Sequence, residues 1–245
     1  MAAAEVPLWV VIPTYNEARN LEPLARALLA EPRAGLVVVD DNSPDGTGRL
    51  ADRLAAETGR VEVVHRPEKL GLGTAYRAGF RRALDIEAQY VMTMDADLSH
   101  DPAALPSFLE ASEDLDLVIG SRYLRGVSVL NWSIERILLS WFANQYVRSI
   151  TGLRLSDCTS GYRLYRRELL ERIGLEEIRS SGYSFLVEMA CRAVWMGFRV
   201  GEIQIVFAER REGRSKMSKR DIAEAALTPW RLRAMRMLGR PSRRR

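Results

Sequence analysis

Short apolar runs alternate with amphipathic stretches through the first half of the chain, and this alternation restricts the possible folds most. The apolar runs are rich in Val and Ile, which is typical of buried strands. The predicted strands are residues 8–12, 36–39, 61–64, 90–94 and 117–119. The predicted helices are residues 18–30, 48–57, 74–84 and 102–112. The alternation predicts an α/β fold whose mostly parallel sheet has helices on both faces.

The second half of the chain has a different pattern. Residues 130–150 and 183–195 predict helices, the first of them with several aromatic side chains. Residues 200–207 alternate as a half-buried strand does, and residues 219–238 predict a final helix that carries Arg231, Arg233 and Arg236 beside apolar side chains. We expect a folded domain at residues 1–217, followed by a basic amphipathic helix and tail at residues 218–245.

Charge is distributed unevenly along the chain. Residues 209–245 carry 13 Lys and Arg against 4 Asp and Glu, whereas residues 1–208 carry 23 against 28. A basic end on an acidic body favours a polyanionic partner, which is either a nucleic acid or an anionic membrane. Neither a signal-peptide pattern nor an apolar run of about 18 residues is present. The sequence therefore predicts a cytoplasmic protein, and the helix at residues 130–150 is either interfacial or buried in the core.

Polar and acidic residues follow four of the predicted strands. These segments are residues 13–17, 40–47, 95–100 and 120–123. In open α/β sheets, ligands bind at the carboxyl ends of the strands. Because these four segments meet at one edge of the sheet, we expect the functional site there.

The carboxylate pair Asp95 and Asp97 is a candidate metal site. Carboxylate oxygens suit a hard cation, Mg²⁺ or Mn²⁺, which keeps donor phosphates in its coordination shell. Such a cation would stabilise a leaving nucleoside diphosphate. The alternative is a solvated turn that caps the next helix. Asp41, at the end of the second strand, could accept hydrogen bonds from a ribose or a base, while residues 43–46 form a turn.

Taken together, these segments resemble the family 2 glycosyltransferases with a Rossmann-like GT-A fold. Within that family they are similar to the dolichyl- and polyprenyl-phosphate mannose synthases. The matching segments are IPTYNE (12–17), VVVDDNSPDGT (37–47), RPEKLGLGTAYRAGF (66–80), MDADLSHDP (94–102), GSRY (120–123), SGYRLYRR (160–167), GYSFLVEM (182–189) and residues 209–216. The resemblance thus covers most of the chain, and MDADLSHDP is its most specific part.

The resemblance implies roles for individual residues. The nucleotide would be held by Pro13, Tyr15, Glu17, Val39 and Asp41. The metal and diphosphate would lie at Asp95, Ala96 and Asp97, and Ser99 falls where some relatives have a further ligand. The cations near the reacting phosphates would be Arg122 and Arg136, which together with Asp97 form the catalytic set, with Arg163 as additional charge. A basic pair on a loop that closes over the donor would be Arg210 and Lys216.

The implied reaction is metal-dependent transfer of mannose from GDP-mannose to a polyprenyl phosphate, with inversion at the sugar carbon. The implied location is peripheral, on the cytoplasmic face of an anionic membrane, either directly or through a membrane-anchoring partner subunit. We expect no nucleic acid partner, since the body of the chain is acidic. Transfer of glucose from UDP-glucose is an alternative. A nucleotidyltransferase is a weaker one, because the first strand is followed by PTYNE and not by a glycine-rich basic loop.

Three further acidic or basic residues are singled out. Glu188 lies within an apolar helical pattern, which favours a structural ion pair. Asp157 is interpreted as a group that orients the acceptor. His100 is interpreted as part of a helix start, with no metal partner.

Overall fold

The structure, a computed structural model, describes residues 7–209 and 219–239, and side chains of the last segment from residue 223 onward. The strands in these residues are β1 (Leu8–Thr14), β2 (Ala34–Asp40), β3 (Val61–His65), β4 (Tyr90–Thr93), β5 (Leu117–Ser121), β6 (Val129–Leu130), β7 (Arg163–Arg166), β8 (Val200–Gln204) and β9 (Phe207–Ala208). The α-helices there are α1 (Ala18–Leu29), α2 (Thr47–Thr58), α3 (Leu72–Asp85), α4 (Leu105–Ala111), α5 (Ile134–Thr151), α6 (Arg167–Arg172), α7 (Gly182–Trp195) and α8 (Lys219–Met237).

The main sheet has the strand order β3-β2-β1-β4-β7-β5-β8. All of its strands run parallel except β7, which is antiparallel to both β4 and β5. A second, two-stranded sheet joins β6 to β9 in parallel. The predicted α/β fold with a mostly parallel sheet is confirmed.

Helices cover both faces of the main sheet, as predicted. Along β1, Trp9 and Val11 belong to one apolar cluster, which also includes side chains of α3, α5, α6, α7 and α8. Val10 belongs to the other, with side chains of α1, α2 and α4. The helix α3 packs closely on β1 because residue 79 is glycine: a Cβ there would lie 2.2 Å from Val11 Cγ1.

Several element boundaries differ from the sequence prediction for local reasons. The helix predicted from residue 130 begins at Ile134, because Ser133 caps it by accepting a hydrogen bond from Arg136 N at 3.4 Å. The helix predicted from residue 102 begins as a 3-10 turn, and Asp101 caps this turn through Ala103 N. The strand β7 and the helix α6 that follows it were not predicted.

The helices α5 and α8 lie side by side at one end of the molecule. The first half of α5 is largely exposed, whereas its second half buries Val147 and Ile150, so the core alternative holds for the second half only. Leu232 of α8 is buried in the same cluster as α5 and α7. Across the described residues, every helix is too short or too polar to cross a membrane.

Candidate active site

The carboxyl ends of β1 and β2 lie side by side. Their register pairs Pro13 with Val39 and Thr14 with Asp40. The carboxylate of Asp40 accepts hydrogen bonds from Thr14 Oγ1 at 3.1 Å and from Ser43 Oγ at 2.5 Å. Asp40 therefore ties the two strand ends together and is a structural residue.

The loop that contains Tyr15 and Glu17 is fixed by the turn after β2. Ser43 Oγ accepts a hydrogen bond from Asn16 N at 3.1 Å, and Thr47 Oγ1 accepts one from Glu17 N at 2.9 Å. The expected turn at residues 43–46 is present, and it supports the loop that the resemblance assigned to the nucleotide. The ring of Tyr15 lies 4.8 Å from the ammonium of Lys69.

Asp41 and Arg66 form a buried pair beside this loop. Arg66 Nη1 lies 3.2 Å from Asp41 Oδ1, but the two are not aligned for a hydrogen bond. Burial raises the pKa of the Asp41 carboxyl, against the opposing effect of Arg66. Within the described part of the chain, Asp41 Oδ1 thus has no hydrogen-bond donor. A ligand with N–H or O–H groups would supply what this oxygen lacks.

Asp95 and Asp97 lie in the turn after β4. The backbone at Leu98 is left-handed (φ 61°), and this bend directs Ser99 back toward Asp97. Asp97 Oδ1 accepts hydrogen bonds from Ser99 Oγ at 2.5 Å and from Ser99 N at 3.1 Å. The hydroxyl of Ser99 therefore orients the carboxylate of Asp97.

His100 supports Asp95 from the protein interior. Its Nδ1 accepts a hydrogen bond from Asp95 N at 3.3 Å, and its ring stacks on Tyr162 and meets the ring of Phe207 edge-on. Burial lowers the pKa of His100 to about 4, so the imidazole is neutral and can act as an acceptor. The sequence interpretation of His100 as a helix start missed this role.

Arg122 lies in a buried ion pair at the end of β5. Its Nε and Nη2 donate to Asp157 at 2.6 and 2.7 Å, and Nη2 also donates to Thr159 Oγ1 at 2.8 Å. Burial opposes the charge of both partners, but their mutual attraction raises the pKa of Arg122 and lowers that of Asp157. Glu202 of β8 accepts hydrogen bonds from Ser156 N and Asp157 N, which fixes the position of Asp157.

Arg136 meets Arg122 at a shared aromatic side chain. The guanidinium of Arg136 lies 4.0 Å from the centroid of the Trp132 ring, and that of Arg122 lies 5.5 Å from it. Phe207, which contacts His100, also lies 5.6 Å from the Arg122 guanidinium. These rings connect the acidic turn after β4 to both arginines. Arg136 pairs with the exposed Glu209 at 3.0 Å.

The donor set of the acidic turn fits a hard divalent cation. Asp95 and Asp97 offer carboxylate oxygens, the ligands that Mg²⁺ and Mn²⁺ prefer. Among the described residues, no group of three or more His, Cys, Asp or Glu is gathered to bind a metal. A cation here would complete its coordination shell with oxygen donors from water or a substrate. Gly161 leaves space beside Asp95, since a Cβ there would lie 3.8 Å from Asp95 Oδ1.

The remaining predicted site residues either have buried side chains or lie outside the described residues. The side chains of Val39 and Ala96 are buried in the apolar clusters, which leaves only their backbone for a ligand. The expectation that Arg163 provides charge to the phosphates is wrong: it is fully buried and donates to the carbonyls of Cys158, Ser160 and Leu186. Arg210 and Lys216 lie outside the described residues.

Two further interpretations concern acidic side chains. Glu188 is part of an ion pair, as predicted, with Arg192 and Arg231. Asp157 contacts Arg122, so it orients a cation of the site. Sequence reasoning gave no individual role to Arg66, Lys69, Trp132 or Glu202, although Arg66 and Lys69 stand in a segment that carried the resemblance.

Comparisons with known proteins identify the family of the chain. Residues 9–174 match the family model described as Glycosyl transferase family 2. A protein of Micrococcus luteus named undecaprenyl-phosphate mannosyltransferase is 47% identical over 227 residues, which covers 91% of this chain and 93% of that protein. A polyprenol monophosphomannose synthase of Mycolicibacterium smegmatis is 49% identical over 219 residues, or 88% and 83% of the two chains.

Solved structures with lower sequence identity share the fold. Glucosyl-3-phosphoglycerate synthase of Mycobacterium tuberculosis, determined with Mn²⁺, UDP and glucosyl-3-phosphoglycerate, superposes with a TM-score of 0.64 at 18% identity, covering 98% of this chain and 82% of that one. A mannosyltransferase of Pyrobaculum calidifontis with GDP-mannose and Mn²⁺ gives 0.57 at 18% identity, covering 96% and 75%.

Proposed function

The chain belongs to glycosyl transferase family 2 and has the GT-A fold, and from that membership we propose that it transfers mannose from GDP-mannose to a polyprenyl phosphate. The relatives in Micrococcus and Mycolicibacterium, which match nearly the whole chain, are named for mannose transfer to a polyprenol. They support both the sugar and the class of acceptor.

The observation that carries the chemistry is the placement of two carboxylates and two guanidinium groups at one edge of the sheet. The ring of Phe207 contacts those of His100 and Trp132, and the guanidinium groups of Arg122 and Arg136 lie over Phe207 and Trp132 respectively. His100 in turn accepts a hydrogen bond from Asp95 N in the acidic turn. A transfer between two anionic substrates needs both kinds of group. The cations would allow one anion to approach another, and the carboxylates would hold a divalent cation beside the donor diphosphate.

We assign the nucleotide to the ends of β1 and β2. Asp41 Oδ1 is buried without a hydrogen-bond donor, so the N–H groups of a purine base or the hydroxyls of a ribose suit it. Tyr15, with Lys69 over its ring, provides a flat surface and a positive charge beside it. Pro13, Glu17 and the backbone of Val39 complete this side. Arg210 and Lys216 remain proposed contacts of the diphosphate.

Asp97 and Asp95 would hold Mg²⁺ or Mn²⁺ together with the donor diphosphate, next to the backbone of Ala96. A bound cation would neutralise the charge that develops on the leaving GDP. Ser99 keeps Asp97 Oδ1 in place, and His100 keeps the backbone of Asp95 in place.

The acceptor needs little activation. A phosphate monoester is ionised near neutral pH because its second pKa is about 6. One of its oxygens forms a bond to the anomeric carbon while the bond from that carbon to the β-phosphate oxygen of GDP breaks, and the electron pair leaves with GDP. Attack from the opposite side inverts the sugar carbon. Arg122 and Arg136 orient the acceptor phosphate for this attack.

We also propose that the protein works on the cytoplasmic face of a membrane, since its acceptor has an apolar chain. The first half of α5 exposes large apolar side chains, with Ile134 72% and Leu138 49% accessible. An exposed helix of this kind suits a membrane interface. Cys158 and Cys191 are free thiols, which agrees with a reducing compartment. A membrane-anchoring partner subunit is the alternative to direct attachment.

The test is a transfer assay with radiolabelled GDP-mannose, a divalent cation and undecaprenyl phosphate, in which label is counted in an organic extract. We expect extractable label that disappears with a chelator or with Asp97→Asn. Asp114→Asn, an exposed carboxylate in the turn after α4, is the matched control and should retain activity. Label from UDP-glucose alone would overturn the sugar. No label from either donor would contradict the proposed reaction.

A further inference from the structure

The segment between α5 and β7 positions a charged residue without a helix or strand of its own. Residues 152–162 lie outside every helix and strand, yet Asp157 within them is fully buried. A connecting segment of this kind is usually more mobile than the elements that it joins. The fixed place of Asp157 therefore depends on contacts from other parts of the molecule.

Glu202 of β8 makes the first of these contacts. Its two carboxylate oxygens accept hydrogen bonds from consecutive backbone N–H groups, from Ser156 N at 2.6 Å and from Asp157 N at 2.8 Å. Bonds to an ionised carboxylate are roughly twice as strong as those between neutral groups. Two bonds to neighbouring N–H groups also prevent the loop from rotating about either one.

Asn144 of α5 makes the second contact. It is 1% exposed and is the first buried residue of that helix. Its Oδ1 accepts a hydrogen bond from Cys158 N at 2.7 Å, and its Nδ2 donates one to Ser140 O, one helical turn back, at 3.0 Å. Burying an amide costs free energy unless such bonds are made, and a leucine of similar size would fill the same space. The amide is therefore explained by its contact with the loop.

Together the two side chains hold three consecutive N–H groups, and the middle one belongs to the partner of Arg122. Asp157 Oδ2 accepts hydrogen bonds from Arg122 Nε at 2.6 Å and from Arg122 N at 3.2 Å. Arg163 Nη2 donates a further bond to the same loop, at Cys158 O, over 2.7 Å. A guanidinium bound to a carboxylate has a fixed orientation only where the carboxylate itself is fixed. The orientation of Arg122 thus depends on residues of β8 and α5.

We propose that Glu202 and Asn144 are positioning residues of the transfer reaction, which act on Arg122 through the loop that contains Asp157. The inference rests on the proposed function, in which Arg122 orients the acceptor phosphate. A displacement of about 1 Å in a reacting site can reduce the rate about 100-fold. Loss of either contact should therefore slow the reaction, although neither side chain is assigned to a substrate. Because Asn144 lies on α5, a shift of that helix would also change the orientation of Arg122.

The first test replaces Glu202 by glutamine. An amide has one acceptor oxygen and one NH₂ group, so Glu202→Gln can accept from only one of the two backbone N–H groups and places a donor against the other. Glu62→Gln is the matched control, because Glu62 lies on β3 at the opposite edge of the sheet and accepts a hydrogen bond from Arg82 at 2.6 Å. Glu202 is only partly buried, so its replacement leaves the apolar core intact.

The second test replaces Asn144 by leucine, which keeps the size of the side chain and removes the acceptor of Cys158 N. Gln145→Leu is its matched control: it makes the same change at the next residue, whose amide oxygen accepts from Arg148 in the same helix. Glu202→Gln tests the proposal even where Asn144→Leu does not fold.

The orientation of Arg122 is measured by NMR of protein with isotope-labelled arginine. The Nε–H of Arg122 is buried against Asp157, so it should exchange slowly with water, and its signal is assigned by its loss in Arg122→Lys. Both test variants should speed this exchange at least tenfold, and both controls should leave it unchanged. The Nε–H of Arg192, which donates to Glu188 at 3.0 Å within α7, should keep its exchange rate in every variant.

Transfer kinetics give the second readout. Both test variants should lower kcat at least tenfold and keep the KM for GDP-mannose within about twofold of the wild type, and both controls should match the wild type. Unchanged exchange at Arg122 in the two test variants, or a wild-type kcat in both, would overturn the proposal. Equal acceleration of exchange at Arg122 and Arg192 would reduce the role of these residues to general stability and overturn it too.

These outcomes are separate from those of the transfer test under the proposed function. Faster exchange at Arg122 alone, in a protein that transfers no mannose, would contradict the proposed function and leave the loop as the element that orients Arg122. Mannose transfer with unchanged exchange at Arg122 would do the reverse.

Discussion

The buried pair of Arg122 and Asp157 shows how single side chains determine this site. A guanidinium that makes two hydrogen bonds to one carboxylate has a fixed orientation, which a mobile surface arginine lacks. The negative charge of Asp157 also offsets part of the positive charge of Arg122. Arg122 therefore contributes a fixed orientation as well as charge. The more exposed Arg136 contributes a cation that can change its position.

Asp157→Asn should destabilise the protein in a pH-dependent way. The pKa of Asp157 is lowered in the folded protein, so its stabilising contribution is complete above the unfolded pKa of about 3.9 and is lost as the pH falls through the folded value. Breaking a buried pair costs about 3–5 kcal/mol. We expect that difference in the free energy of unfolding at pH 7 and a smaller one at pH 3, measured in urea. A difference that is the same at both pH values would contradict this account.

His100→Phe should slow transfer while the fold is retained. Phenylalanine keeps the stacking on Tyr162 but removes the acceptor for Asp95 N, so the acidic turn loses its support. We expect kcat to fall at least tenfold and metal-free GDP binding to be unchanged. Tyr162→Phe, which keeps the stack and loses only a hydrogen bond to Asp101 O, is the control and should keep a kcat within about twofold of the wild type, because that bond does not end on Asp95 or Asp97.

The sequence predicted which residues belong to the site better than it predicted the contacts between their side chains. Asp95, Asp97 and Arg122 come together because strand ends meet at one edge, which a pattern of strands can predict, whereas Arg136 lies in α5 and packs on Trp132. The partnership of Asp157 with Arg122 depends on a loop 35 residues away, and its support by Glu202 depends on another strand. No local pattern encodes contacts at that separation.

Among the strands of the main sheet, β7 was the one that the sequence pattern did not predict. It has four residues, and two of them are arginines, so it resembles neither a buried run nor an alternating strand. Its position in the middle of the sheet is possible because Arg163 donates to three backbone carbonyls, which compensates for burying its charge. The same contacts explain why Arg163 does not serve the phosphates.

The junction of α7 and α8 supports a prediction about stability. Glu188 is buried between Arg192, whose side chain is 2% exposed, and Arg231, whose side chain is 42% exposed. Glu188→Gln should cost about 3–5 kcal/mol, because it removes the buried charge partner of Arg192 and leaves only the exposed Glu177 at 3.3 Å. Arg231→Ala should cost about 1 kcal/mol or less, since water screens its half-exposed charge. Urea unfolding measures both, and equal losses would argue against this asymmetry.

At the scale of the whole molecule, the proposal assigns a different region to each substrate. The nucleotide would bind at the ends of β1 and β2, the reacting groups would lie at the ends of β4 and β5, and an apolar groove is formed by α5, α7 and α8. In the proposed reaction the donor enters from water and the acceptor enters from a bilayer. The proposal therefore requires that the exposed half of α5 contact lipid during transfer.

Ile134→Ser with Leu138→Ser tests that requirement. These side chains are exposed on α5 and are absent from the lining of the groove, so the change should leave transfer to farnesyl phosphate in solution intact. Each aliphatic side chain that enters an apolar phase contributes about 1.5–3 kcal/mol when fully buried. We expect at least a tenfold loss of co-sedimentation with anionic liposomes and a parallel loss of transfer to undecaprenyl phosphate in those liposomes. Val194→Ser, an exposed apolar residue at the end of α7, is the control and should bind as the wild type does. Undiminished sedimentation of the double variant would place the membrane contact elsewhere on the molecule.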